Sequence, residues 1–101
     1  MSKKSVLEEA QELLHGARME EYGSPVDSFK RISKMWSIVL DTEVTPEQVA
    51  LCLIQMKVSR AIYSNKRDSF VDIAGYAGTL ELLHDESSHR WAEEAQALDT
   101  E

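Results

Sequence analysis

"TPEQVALCLIQMKVSRAIYSNKRDSFVDIAGYAG", residues 45–78, decides the architecture of this chain. Thr45, Pro46 and Gln48 spell a helix start: a capping hydroxyl, a proline at the first helical position, and a glutamine placed to close a capping box. The run from Val49 to Tyr63 is apolar nearly all round, which predicts a central helix covered by several neighbours. "SNKR" at 64–67 is so short that the next helix, from about Asp68 to Leu83, must fold back antiparallel to the one before. The hairpin then brings Lys57 and Arg60 within reach of Asp72 and Asp68, and Arg60 is expected to face Asp72. Gly75 and Gly78 lie inside the second of these helices, where glycine costs about 1 kcal/mol relative to alanine. With Ala74 and Ala77 they strip that helix of bulk, which predicts a close crossing by a neighbour. Tyr76 shares a helix face with Asp68 and Asp72.

Two more helices precede the hairpin. "SVLEEAQELLHGA" is capped by Ser5 with Glu8, carries a stripe of Leu7, Ala10, Leu13 and Leu14, and is expected to stop at Gly16. After the linker "RMEEYGSP", in which Glu20, Glu21 and Tyr22 read as turn residues, Ser24 and Pro25 open a second helix. Its buried stripe is predicted as Val26, Phe29, Ile32, Trp36 and Val39, and "DTEV" ends it. Beyond Leu83 the chain turns polar. Residues 84–101 read as a tail or short fifth helix, with Trp91 and Leu98 pinned to the body or to another subunit. The fold class is all-α: a compact bundle of four main helices, one domain over residues 1–101, assembled into a homo-oligomer of two or more copies.

Composition narrows the function. With 101 residues, 43% apolar and 29% charged, the chain is globular in character. No apolar run is long enough to span a bilayer, so a cytoplasmic, membrane-independent protein is expected. A net charge of −7 argues against duplex nucleic acid as a partner. Lys30, Arg31, Lys34, Lys57, Arg60, Lys66 and Arg67 are nevertheless clustered, which leaves room for a locally basic pocket that takes a small phosphorylated ligand. Cys52, alone and in the most apolar segment, reads as a buried hydrophobe. The three histidines share no metal-ligand spacing, and no G-x-x-x-x-G-K-[ST], G-x-S-x-G or H-E-x-x-H motif occurs. Two readings of the polar patch stay open. Asp68 or Ser69 would serve as a helix cap and the charges as interhelical ion pairs, or the patch holds a ligand, with Lys57 and Arg60 on phosphate and the carboxylates on a divalent cation.

Three stretches, "LEEAQELLHGARMEEYGSPVDSFKRISKMW", "VTPEQVALCLIQMKVSRA" and "RDSFVDIAGYA", together resemble a family of small phage-encoded helical proteins of unknown function. Its signature ends in D-S-x-x-D-I-A-G-Y-A. More distantly the chain is similar to the MazG-type all-α nucleoside triphosphate pyrophosphohydrolases, which hold magnesium with E-E-x-x-E on one helix and E-x-x-D on a later one. Glu8, Glu9 and Glu12 match the first pattern. Of the second, Asp72 matches, Ser69 stands in the glutamate position and Asp68 is displaced by one. The first resemblance implies a phage or prophage origin and an all-helical fold but no known activity; with the more distant one, the expectation is a nucleotide-handling protein of phage type, working in the cytoplasm of the infected or prophage-carrying bacterium. Its metal ligands would come from Glu9, Glu12, Asp68 and Asp72, and its phosphate and base contacts from Lys57, Arg60 and Tyr76. Either it cleaves a nucleoside triphosphate with magnesium at a weakened metal site, or it binds a signalling nucleotide without turnover. A third possibility is a counter-defence protein that engages a host protein.

Overall fold

The structure, a computed structural model, describes residues 4–15 and 23–99, with side chains as far as Glu86. Its elements are α1 (Val6–His15), α2 (Pro25–Leu40), α3 (Pro46–Tyr63) and α4 (Arg67–Asp99), with no strand among the described residues. The starts are set by local chemistry. Ser5 Oγ accepts the Glu8 N–H at 3.1 Å, and Ser24 Oγ accepts the Val26 N–H at 3.2 Å ahead of Pro25. At α3 the capping box closes in both directions: Gln48 N–H donates to Thr45 Oγ1 at 3.2 Å, and Thr45 N–H donates to Gln48 Oε1 at 3.0 Å. α2 ends where Asp41 turns into the left-handed region at φ 51°, its N–H reaching back to the Ile38 carbonyl. The Ser37 hydroxyl donates to the Ser33 carbonyl and accepts the Val44 N–H at 2.9 Å, which ties the connection to α2.

α3 and α4 form the expected antiparallel hairpin, in register from Lys57 against Asp72 at the turn end. Phe29, Val49, Ala50 and Leu83 are the buried centre, and Val26, Ile32, Trp36, Val44, Leu53, Tyr76 and Leu80 pack around them. α1 lies along the first half of α4: Arg67 pairs with Glu9 and donates to the Lys4 carbonyl at 2.7 Å, and Leu14 sits over Gly78.

Four expectations change. α3 is not central. It packs mainly on α4 and α2, and its outer side is bare: Leu51 is 53%, Ile62 82% and Tyr63 94% exposed, and Cys52 is exposed with them. Val39, in the last turn of α2, and Leu7, in the first turn of α1, drop out of their stripes and are exposed. Asp68 is not a cap; it sits inside the first turn of α4, where its charge faces the positive end of the helix dipole. Finally, α4 runs unbroken for 33 residues rather than stopping near Leu83. No glycine or proline interrupts it after Gly78, and Glu, Ala, Leu and Arg sustain it. The side chains of Trp91 and Leu98, and residues 16–22 with the expected stop at Gly16 and turn residues Glu20, Glu21 and Tyr22, lie outside the described residues.

Candidate functional site

Where α1, α2, α3 and α4 converge they leave a cleft of about 450 Å³, within the size range of small-molecule sites. One wall is α4, which presents Asp72, Gly75, Tyr76 and Thr79 at the three- and four-residue spacing of one helix face. α3 contributes Leu53 and Lys57, one helical turn apart; α2 contributes Phe29 and Ile32; α1 closes the top with Leu13 and Leu14. The lining is apolar apart from a few convergent polar groups.

The chief of these is an ion pair. Lys57 Nζ lies 2.7 Å from Asp72 Oδ2, with the lysine side chain 13% and the aspartate 29% exposed. An ammonium carries three donors, and among the described residues Lys57 has no other polar partner. The second Asp72 oxygen is equally without a hydrogen bond among those residues. The pair is thus self-compensated in charge, yet presents a donor and an acceptor side by side to the cleft. Above it Tyr76 leans on Phe29, ring centroids 5.7 Å apart at 51°, an arrangement that adds to packing beyond simple burial. Gly75 completes the wall: apart from its chain neighbours and its own stretch of helix backbone, a Cβ there would meet no described atom within 4 Å. Gly78, one turn on, is the opposite case, since a Cβ would overlap the Leu14 side chain. The expected close crossing therefore belongs to Gly78 and not to Gly75.

The structure brings together Lys57, Asp72 and Tyr76 of the residues singled out in the sequence. Arg60 is exposed and forms no ion pair among the described residues, so the partner of Asp72 is Lys57; the two cations lie about 60° apart round α3, and Lys57 is the one turned inward. Asp68 is exposed at the start of α4. Glu9 is taken by Arg67 and Glu12 by Lys4 at 2.7 Å, and the Glu12 contact holds the Lys4 ammonium above its ordinary pKa. Among the described residues no three Asp, Glu, His or Cys side chains converge to hold a metal ion. Each of Glu9, Glu12 and Asp72 faces a cation. Phe29 and Leu14 were not singled out as site residues because they read as core, and Thr79 carried no signal of its own in the sequence.

Among the described residues no helix is long and apolar enough to cross a membrane. No solved structure matches the chain significantly. Two curated relatives, both called Gene 55 protein, come from mycobacteriophages. That of phage D29 is 45% identical over 83 residues, covering 81% of this chain and 55% of the relative. That of phage L5 is 35% identical over 98 residues, covering 95% of this chain and 63% of the relative. The chain thus spans less than two thirds of the length of either. A family model described as a domain of unknown function, DUF6378, matches residues 5–84, which include every residue that lines the cleft. The chain belongs to this family of unknown function, with relatives in phages.

Proposed function

We propose that the protein is a nucleotide-handling protein of phage type that binds its ligand in the cleft between α1, α2, α3 and α4, acting as a binder rather than as a magnesium-dependent pyrophosphohydrolase. The observation that carries this reading is the Lys57–Asp72 pair set into the wall of an otherwise apolar cleft beside Phe29 and Tyr76. A half-buried charge pair is a poor way to stabilise a fold, because desolvation offsets most of its attraction. In a ligand site the same pair supplies orientation: the ammonium donates to an oxygen and the carboxylate accepts from an N–H or O–H, while the rings provide contact area. Binding without turnover is supported by the carboxylates of the E-E-x-x-E pattern, of which Glu9 and Glu12 are engaged at Arg67 and Lys4.

The test is calorimetric titration with ribo- and deoxyribonucleoside mono-, di- and triphosphates, with and without magnesium, together with an assay for pyrophosphate release. Binding of a nucleotide without accelerated release is expected, and Asp72→Asn should weaken it. Magnesium-dependent release of pyrophosphate would restore the enzyme reading. Failure to bind any nucleotide at millimolar concentration would leave the pair as a structural ion pair and favour a role in engaging a host protein.

Self-association belongs to the same proposal. Leu51, Val58 and Ile62 recur at helical spacing on the bare side of α3, and an apolar stripe of that kind is characteristic of a surface that meets another chain.

A further inference from the structure

We infer that Gly75 and the Phe29–Tyr76 ring pair form a subsite for a planar heteroaromatic group, whose edge is read by the Lys57–Asp72 pair. This deepens the nucleotide reading and rests on it. The inference starts from the glycine. Gly75 lies mid-helix, with eight residues of α4 before it and many after, where glycine weakens the helix and alanine would strengthen it. A helical glycine is usually explained by a neighbour too close to admit a side chain. Gly78 has that explanation in Leu14, and Gly75 has none among the described residues. It has no left-handed backbone to justify it either, since the positive-φ glycine of the described residues is Gly23. What Gly75 does have is a place in the cleft wall, between Asp72 and Tyr76.

Bare backbone at that point makes a flat step on which a ring can lie, flanked by the aromatic pair. One turn earlier on the same face, Asp72 with Lys57 offers an acceptor next to a donor. A nucleobase carries that complementary pattern on its edge, an N–H or amino group next to a carbonyl or ring nitrogen. A self-compensated pair suits a neutral edge better than it suits a phosphate, which would compete with Asp72 for the ammonium. The base is therefore the part of the ligand held in the cleft, and sugar and phosphate extend towards its mouth.

The experiment uses the full chain and three probe classes: the nucleosides adenosine, guanosine, cytidine, uridine and thymidine, their 5′-monophosphates, and ribose 5-phosphate. Wild type is expected to bind at least one nucleoside and its monophosphate with similar affinity and to ignore ribose 5-phosphate. Gly75→Ala should melt higher by about 4–8 °C, from helix propensity alone, and bind that nucleoside several-fold more weakly. Gly75→Leu, which fills the step, should lose roughly ten-fold or more, the scale of one lost base-stacking contact. Higher stability with lower affinity separates a ligand position from a packing one. Unchanged affinity in both variants, or melting points below wild type, would overturn the subsite while leaving nucleotide binding intact. So would tight binding of ribose 5-phosphate. Failure of wild type to bind any nucleoside or nucleotide would overturn both readings.

Discussion

At the scale of single residues, Asp41, Lys57 and Asp72 carry conformational or electrostatic loads whose size is measurable. Asp41 holds a left-handed backbone at the end of α2, where glycine avoids the Cβ penalty. Asp41→Gly is expected to raise stability by about 0.5–1 kcal/mol in denaturant unfolding. The Lys57–Asp72 pair is more shielded than the other ion pairs of the described residues. A double-mutant cycle with Lys57→Met and Asp72→Asn should therefore return a coupling of about 1–2 kcal/mol, above the roughly 0.2–1 kcal/mol of exposed pairs. A value near zero would mean that the pair is too wet to hold its geometry without a ligand.

Between elements, the deciding contact is Leu14 of α1 over Gly78 of α4. Gly78→Ala is expected to lose about 1 kcal/mol net, overpacking outweighing the gain in propensity. In a Leu14→Ala background the same substitution should stabilise, because the obstructing side chain is gone; melting curves of the three variants read the change of sign. The helix starts at Ser24 and Thr45 were legible in the sequence, since a cap is a bargain among four consecutive residues. The α3–α4 hairpin was legible for the same reason: its turn is short. The choice of Lys57 over Arg60 was not, because it depends on how α3 is rotated about its axis. Nor was the contrast between Gly75 and Gly78, which α1 decides from some sixty residues away in the chain. Cys52 and Val39 were misplaced because apolar character says that a residue benefits from cover, not that this chain supplies it.

For the molecule as a whole, the bare side of α3 presents Leu51, Val58 and Ile62 to solvent. If it meets a second copy, sedimentation should show a dimer or larger species, and Ile62→Glu, at a site 82% exposed, should give monomers that keep their helical spectrum. The other weak point of the molecule is at the opposite end of the chain. α1 has 10 residues and buries only Ala10 and Leu14, a length too short for a helix to persist alone. Its polar ties to α4 run through Arg67 to Glu9 and to the Lys4 carbonyl, both at the exposed surface, where such charge contacts are weak and screened by salt. Native-state hydrogen exchange should therefore find the amides of α1 releasing deuterium well before those of α3 and α4, and faster at 0.5 M than at 0.05 M salt, as about a three-fold shrinkage of the screening length dictates. Because α1 supplies Leu13 and Leu14 to the cleft, each such excursion uncovers the cavity. The N-terminal helix is thus a latch that ionic strength loosens, and anything seated beneath it should slow its exchange.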